Sequence, residues 1–342
     1  MDVALALLII SASVLLIGIY LHSDDDSIDG DRGQQALQTL QGSTVTITYD
    51  LSAENDSGHA ATDSDNYELP NRLEPDDVSE LYEITTYGSS TDLLGEAALT
   101  NLQIDGRELF AYGDDVERSV EAAIRGRLVG SEGRIYAVAT WEPYEGGSIN
   151  GTATAGEHPP RTADVSSSTT SVSGNVPPVD AERLAERFEF GEEREGSRDD
   201  VDDGFDAVGP EIAEPIVEAY FPPRQSQYTL ESTLTENAAT VYNYRQLADA
   251  VDVDLEDEIT GTTPDAFAAN DVLRGELGDD EGLGSQVADD LRDSPAGEEI
   301  RETYDGFGGG RLTDDERAEL AATFEEVVST ETIDITVQTW DA

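Results

Sequence analysis

The hydrophobic and polar positions of this 342-residue chain change pattern near residue 21. Residues 3–21 form one run of uncharged, mostly apolar side chains, whereas the rest of the chain mixes apolar and polar positions. A helix of that length spans about 28 Å, close to the hydrocarbon thickness of a bilayer. The acidic residues 24–26 then end the run. The pattern predicts a transmembrane anchor within residues 1–22.

Two other interpretations of this run are a cleaved signal peptide and a pilin-type leader. A signal peptide has a basic residue before its apolar run and a small-x-small cleavage site after it. Here only Met1 and Asp2 precede the run, and the one Ser-Ala-Ser triplet, residues 11–13, lies inside it. A pilin-type leader has a basic residue and a glycine just before the run, and neither is present. An uncleaved anchor in the lipid bilayer is therefore the favoured interpretation.

The orientation of the anchor rests on few signals. Lys and Arg normally mark the cytoplasmic flank, but none precedes the run and the first one after it is Arg32. Acceptor triplets for N-glycosylation begin at Asn55 and Asn150, and such sites are compatible with an exterior location. We expect a single-pass protein of the cell membrane with most of the chain outside the cell.

Residues 23–41 are polar and predict a juxtamembrane stalk, and residues 42–176 predict a β-rich part. Strands are expected, from β-branched and aromatic residues or from alternation, at 44–49, 81–87 (or a short helix there), 134–141, 148–155 and 165–172. Apolar residues at helical spacing predict one helix over 114–128. A flexible linker is the competing interpretation of residues 162–175, because they are rich in Ser and Thr.

Residues 177–342 predict a mainly helical part with a terminal strand. Helices are expected over 180–190, 205–220, 241–251 and 313–328, the last opening with the capping box Thr313-Asp-Asp-Glu316. The acidic stretches 192–203 and 278–299 are interpreted as loops. Residues 333–340 alternate as a strand that needs a sheet, so we expect it to return to the first half. The predicted fold class is α+β, preceded by the N-terminal transmembrane helix.

The net charge of this chain limits the classes of partner that it can bind. It has 75 acidic and 19 basic residues, a net charge of −56, and all of the basic residues are Arg. Such a charge weakens a compact state in dilute buffer, whereas molar salt shortens the Debye length to about 3 Å. The composition resembles that of haloarchaeal proteins. It excludes DNA and RNA as partners, since phosphate binding requires a basic face.

No motif in the sequence identifies a reaction, a cofactor or a metal site. Acidic pairs occur everywhere, so their spacing cannot select a general acid and base. Loops placed with Gly30 or Gly204 at the sixth position of an EF-hand have Ala36 or Pro210 at the twelfth, where Glu is required. The three histidines are widely scattered, and the chain has no Cys. We expect a non-enzymatic protein without a cofactor, and leave a small-molecule ligand open.

Two groups of residues are candidates for an interaction surface. Five of the nineteen arginines lie close together in the sequence: Arg107, Arg118, Arg125, Arg127 and Arg134. They could dock an acidic partner or an anionic lipid head group, or pair internally with Glu117, Glu121 and Glu132, which is the favoured interpretation. Trp141 and Tyr144 could form an exposed recognition pair, although a Trp that ends a strand is more often core.

One stretch carries a resemblance to a known group of proteins. It comprises Ala139-Thr-Trp-Glu-Pro-Tyr144, Gly151, Gly156, Pro159-Pro160 and Ala163-Asp-Val165. These residues resemble a family of uncharacterised haloarchaeal membrane proteins, as do the apolar start, Phe221-Pro-Pro223 and the strand ending at Trp340. The resemblance implies an association with type IV pilus-like (Tad-like) gene clusters, and it brings no catalytic residues.

Three hypotheses of function follow. The first is a non-enzymatic surface protein that is an accessory or structural component of a pilus-like or secretion apparatus in a haloarchaeon. The second is a membrane-tethered extracytoplasmic ligand-binding or sensory module, which requires a well-formed apolar pocket. The third is a tethered hydrolase, which requires acids that converge in a cleft with raised pKa values.

Overall fold

The computed structural model describes residues 32–50, 83–104, 106–110, 112–127, 134–193, 201–231, 236–260, 263–275, 282–307 and 311–340. They form an α+β fold with twelve helices and two sheets. Within these ranges no helix combines the length and the apolar content needed to cross a bilayer. Even the longest, over Asp202–Tyr220, carries Glu211, Glu214 and Glu218. The predicted fold class, which opened with a transmembrane helix, is corrected to this α+β fold, and residues 3–21 lie outside the described part.

The described elements are numbered in chain order. The helices are α1 (Arg32–Gly42), α2 (Ser90–Thr100), α3 (Gly113–Arg127), α4 (Ala181–Glu193), α5 (Asp202–Tyr220), α6 (Pro223–Glu231), α7 (Glu236–Val251), α8 (Glu256–Thr260), α9 (Ala266–Leu273), α10 (Gly282–Asp293), α11 (Pro295–Asp305) and α12 (Asp314–Val327). The strands are β1 (Thr44–Asp50), β2 (Glu83–Ser89), β3 (Leu102–Ile104), β4 (Arg107–Glu108), β5 (Ile135–Trp141), β6 (Asn150–Gly156), β7 (Val165–Ser173) and β8 (Thr332–Trp340).

A six-stranded antiparallel sheet organises the first half of the fold. Its strand order is β4-β3-β6-β5-β8-β7. The last strand in the sequence, β8, lies between β5 and β7 and pairs with both along its length. The expectation that the terminal strand returns to the sheet of the first half is thereby confirmed.

The two faces of this sheet differ because successive side chains of a strand point to opposite sides. Ala137, Ala139 and Trp141 of β5 point to the inner face and are fully buried, where α1, α2 and α3 cover the sheet. The backbones approach closely there: a Cβ on Gly151 of β6 would collide with the carbonyl oxygen of Ala98 in α2. The opposite face carries mainly Thr and Ser and is open to solvent among the described residues, with Thr169 as an example.

The strands β1 and β2 form a separate antiparallel ribbon. Val45 and Ile47 of β1 are buried, and the ribbon packs on α3. Tyr49 of β1 stacks on Tyr112 with ring centroids 6.2 Å apart. Burial, and secondly the charge of Glu96, raises the pKa of Tyr49 to about 12. The ribbon therefore contributes its own buried residues to the hydrophobic core.

Aromatic side chains fill the core of the helical half. Phe188 of α4 lies edge-on to Phe205, Tyr304 and Phe324, with ring centroids 5.2, 5.3 and 5.9 Å away. These rings come from α5, α11 and α12, so one side chain joins four helices. Edge-to-face contacts of this kind add about 0.5–1.5 kcal/mol per pair beyond the area that they bury.

Asp290 of α10 joins the two halves. Its carboxylate accepts hydrogen bonds from the Tyr144 hydroxyl at 2.9 Å, from the Ser148 N–H at 2.8 Å and from the Ile149 N–H at 3.3 Å. These donors lie in the β5–β6 connection, which is thereby bound to the helices. Both halves contribute to one continuous hydrophobic core.

Several sequence predictions are confirmed by these elements. The strands at 134–141 and 333–340, the helix over 114–128 and the capping box at Thr313 all occur. Residues 165–173 form β7, so the competing interpretation of 162–175 as a flexible linker is wrong.

Two predictions are corrected. Residues 32–41 of the predicted stalk belong to α1, because Gly33, Ala36, Leu37 and Leu40 are spaced to form a buried helical face. Residues 282–299 of the predicted acidic loop belong to α10 and α11, whose acidic residues lie outside the apolar face. In both cases the polar composition hid an amphipathic period.

Candidate interaction surface

The arginines proposed for docking lie on different elements. Arg107 is on β4 and donates to the carbonyl oxygen of Asp249 at 3.4 Å. Arg118 on α3 pairs with Asp115 at 3.4 Å, and Arg125, about two helical turns further along, pairs with Glu121 at 2.8 Å. Both α3 pairs are half-exposed contacts within one helix, worth a few tenths of a kcal/mol. The charges of Arg118 and Arg125 are thus paired with acidic residues of the same helix.

The remaining sequence candidates divide between described and undescribed residues. Arg134 is half-buried just before β5. The Arg127 side chain, Glu132 and the acceptor Asn55 lie outside the described part. Asn150 opens β6, is half-buried, and donates to the Ser148 carbonyl oxygen at 3.1 Å.

Trp141 and Tyr144 are both buried, with 0% and 2% of their surface exposed. The Trp141 indole N–H donates to the carbonyl oxygen of Thr330 at 2.7 Å. Burial, then the charge of Asp290 and the hydrogen bond to it, raises the pKa of the Tyr144 hydroxyl well above its ordinary value. Neither ring is presented to a partner in this fold.

Two surface clefts occur in the helical half. The larger, about 460 Å³, is lined almost entirely by charged and polar residues of α10 and α11, including Arg292 and Arg301. The smaller, about 200 Å³, lies between α5 and α9 and is lined by Glu214, Glu218, Phe267 and neighbouring residues. Neither is the apolar pocket that a ligand-binding module requires.

Ion pairs occupy the smaller cleft. Arg274 contacts Glu214 at 2.9 Å and Asp271 at 2.7 Å, and Arg183 also pairs with Glu214. Burial, followed by the charge of Glu214, raises the pKa of Glu218, while Arg274 and Arg183 act in the opposite direction. A raised carboxyl pKa in a cleft fits the hydrolase hypothesis in part. The other two acids, however, are held by arginines as structural partners, and across the described ranges no cluster of His, Asp and Glu could hold a metal ion.

A different surface stands out at the edges of the six-stranded sheet. One edge ends in the short strands β3 and β4, and β3 covers only the first two residues of β6. Beyond them Glu117 of α3 accepts from the Thr154 N–H at 2.8 Å, and Asn101 donates to the Thr152 carbonyl oxygen at 3.1 Å. Short strands and a charged side chain are devices that protect a sheet edge from pairing with another chain. We call this the guarded edge.

The opposite edge is β7, which among the described residues has a strand neighbour on one side only. Its nine residues pair with β8 in an unbroken register from Val165↔Trp340 to Ser173↔Thr332, without a bulge. The strand contains no charged residue and no Pro. Alternate residues are exposed, with 41% of Val165 accessible. In the part of the chain that the structure describes, β7 therefore shows none of the usual devices that protect an edge strand.

The backbone of β7 offers hydrogen-bonding groups at this edge. The Gly174 N–H donates to the Glu331 carbonyl oxygen at 2.6 Å, so the residues two, four and more positions before it also bond to β8. The intervening residues therefore direct their N–H and C=O groups outward: Val165, Ser167, Thr169, Ser171 and Ser173. Consistent with this, the Thr169 and Thr336 hydroxyls, a pair without mutual backbone bonds, are only 2.9 Å apart.

Two stretches that contain neither Asp nor Glu meet at this edge. They are residues 32–49 and 165–179, in a chain with 75 acidic residues. Helix α1 packs beneath β7, where the Gly33 N–H donates to the Ser166 hydroxyl at 3.3 Å. A Cβ on Gly33 would lie only 3.1 Å from backbone atoms of Ser167 and Ser168. We call α1 and β7 together the acid-free surface.

Sequence reasoning did not find this surface. The signal in the sequence was the absence of acidic residues in two separate stretches, one interpreted as a stalk and the other as a weak strand. Only the fold shows that they are neighbours, because α1 and β7 are more than a hundred positions apart in the chain.

Comparison with known proteins places this chain in a family. It matches the description "Family of unknown function (DUF7284)" over residues 1–340, and so belongs to that family. Searches among curated proteins and among solved structures found no match.

Proposed function

We propose that this member of a family of unknown function is a non-enzymatic assembly protein that works by contact through its acid-free surface. The observation that carries the proposal is the meeting of two acid-free segments at an unguarded strand edge. The cores of protein interfaces are depleted in charged residues. On a molecule with a net charge of −56, a neutral surface is where another protein approaches with the least repulsion.

The cellular setting is part of the proposal. The acidic, Lys-free composition supports a salt-adapted, haloarchaeal source. The resemblance of residues 139–165 to proteins associated with pilus-like gene clusters supports a role as an accessory or structural component of a pilus-like or secretion apparatus. The apolar run at residues 3–21 supports a location at the cell membrane with most of the chain outside. All three stay predictions from the sequence.

The second candidate function is an extracytoplasmic ligand-binding or sensory module at the membrane. The cleft between α5 and α9 favours it. Phe267 provides an aromatic ring there, and Arg274 provides a cation beside Glu218, a carboxyl group whose pKa is raised. It ranks second because the cleft is small and its charges pair with each other.

The test adds acidic residues to the acid-free surface in cells that produce the protein. Replacing both Ser167 and Ser173 by Asp adds two charges to the exposed edge, at positions whose neighbours on β8 are uncharged. Replacing Ala318 and Ala322 by Asp adds the same charge to the exposed side of α12. We expect the β7 variant to lose pilus-like filaments, counted by electron microscopy, at an unchanged protein level. Normal filament numbers in the β7 variant, or equal loss in both, would overturn the proposal.

A further inference from the structure

The acid-free surface has a shape and a chemistry that identify its occupant. We propose that it pairs with the same surface of a second copy of this chain, β7 against β7, so that two six-stranded sheets become one continuous antiparallel sheet. The inference rests on the proposed function, because it names the partner of the same surface.

Identical strands match at this edge without distortion. Antiparallel pairing about a two-fold axis through Thr169 places Thr169 opposite its own copy and Ser167 opposite Ser171 of the other copy. An interface of this kind presents the same patch on both subunits. Each outward N–H then meets an outward C=O, since both groups of a residue point to the same side of the strand.

The side chains that would face one another are hydroxyls. Cross-strand pairs of Thr and Ser contribute through hydrogen bonds, and this molecule already uses such pairs. Thr48 and Thr85 of the ribbon have their hydroxyl oxygens 3.1 Å apart, and those of Thr169 and Thr336 are 2.9 Å apart. The same ladder can therefore continue across the two-fold axis.

Charge favours a second copy over other occupants. Self-pairing of β7 brings no carboxylate opposite another, since the strand has none. The flanking helix α1 presents Gln34, Gln38 and Gln41 to solvent, and its one ionisable residue is Arg32. A lipid surface could tolerate the missing charge, but it could not satisfy a row of outward N–H and C=O groups.

Salt should control this pairing. Each copy carries a net charge of −56, and repulsion between the two bodies acts over the Debye length. The contact itself has no charge that salt could screen. Association is therefore expected to strengthen from dilute buffer to molar KCl, opposite to the behaviour of an interface built from ion pairs.

A single cysteine tests the register directly, because the chain has no Cys of its own. Residues of a hydrogen-bonded antiparallel pair have Cα atoms about 5.5 Å apart, within the range that a disulfide bridges. On mild oxidation of the full chain in detergent and molar KCl, Thr169→Cys is expected to give a covalent dimer. Ser167→Cys alone and Ser171→Cys alone are each expected to give little covalent dimer. A mixture of the two variants is expected to give a covalent heterodimer. Thr152→Cys, exposed at the guarded edge, is the control.

A second variant separates pairing from folding. Thr169→Pro removes one outward N–H, and Pro is tolerated at such a position on an edge strand. By sedimentation velocity in the same buffer, the wild type and Thr169→Ser are expected to associate, and Thr169→Pro to stay monomeric with an unchanged circular dichroism spectrum. Monomers of the wild type at every concentration, or equal cross-linking at Thr152 and Thr169, would overturn the second-copy proposal. If the Asp variants still abolished filaments in cells, the proposed function would stand with a different partner.

Discussion

The two edges of the six-stranded sheet differ in how far their backbone groups are protected from pairing with another chain. At one edge, the strands β3 and β4 are short, and Glu117 and Asn101 bond to the backbone that β6 leaves unpaired. At the other, alternate residues of β7 direct their backbone groups outward, and the strand carries no charge. A strand edge that is left open in an otherwise protected sheet indicates a place for another strand. The difference teaches that the absence of charge can mark a site as clearly as its presence.

The largest effect is expected from crowding the inner face of the sheet at β6, the strand next to the guarded edge. Gly151→Ala places a Cβ against the carbonyl oxygen of Ala98, so β6 and α2 must separate. Overpacking of this kind costs up to about 3 kcal/mol of the free energy of unfolding. Urea unfolding in molar KCl measures the loss. Gly42→Ala at the end of α1, where a Cβ meets nothing within 4 Å, is the control and should change stability by less than about 0.5 kcal/mol. Equal losses would show that the close approach of β6 to α2 is unimportant.

Removing the carboxylate that guards β6 should have the next largest effect. Glu117→Ala leaves the Thr154 N–H and hydroxyl without an acceptor, together with one bond of the Asn101 amide. Unsatisfied groups of this kind cost about 1–3 kcal/mol, and we expect about 2 kcal/mol for the half-buried site. Glu121→Ala removes a carboxylate from the same helix that pairs only with the half-exposed Arg125. A loss for Glu121→Ala as large as that for Glu117→Ala would contradict the guarding role.

The open edge should respond weakly in the folded monomer. Thr169→Val removes the exposed hydroxyl pair with Thr336, 2.9 Å apart, while Val keeps the shape and the strand preference of Thr. We expect a change of no more than about 0.5 kcal/mol in the unfolding free energy. Urea unfolding at low protein concentration and low salt, where we expect a monomer, measures it. A loss comparable with that of Glu117→Ala would mean that β7 contributes to the stability of the monomer rather than to a contact.

The smallest effect concerns pH and lies at Glu96 of α2, whose charge acts on Tyr49 of the ribbon. Burial raises the pKa of Glu96, so the folded state binds its proton more tightly than the unfolded state. Stability from this group is complete below the ordinary Glu pKa and is lost as the pH rises through the raised value. Glu96→Gln should therefore be more stable than wild type at neutral pH, and the difference should shrink in acid. Unfolding curves at several pH values check this, with exposed Glu319→Gln as the control; a constant difference would refute it.

The fold could be predicted from the sequence where one periodicity dominated. Residues 134–141 form a run of apolar and aromatic residues, residues 333–340 alternate, and the capping box at Thr313 has a specific side-chain geometry. Helix α1 was missed because its apolar positions, such as Leu37 and Leu40, are few among glutamines. Helix α2 was not predicted at all, although Leu93, Leu94 and Ala97 are buried.

The candidate surface was beyond sequence reasoning for a different reason. A different candidate surface was predicted from a cluster of charged residues, the arginines around Arg118 and Arg125. Those two residues pair with acids on their own helix. The acid-free surface depends on α1 lying beneath β7, a long-range contact that no local pattern specifies. Lack of charge becomes informative only when neighbours in space are known.

Amide hydrogen exchange at β7 tests the central claim most directly. In molar KCl, the outward N–H groups of Ser167, Thr169 and Ser171 should become protected as the protein concentration rises. The Thr154 N–H at the guarded edge, already bonded to Glu117, should be protected to the same degree at every concentration. That pattern is the predicted result. Exchange at β7 that is fast at all concentrations, or protected equally in dilute solution, would contradict the account.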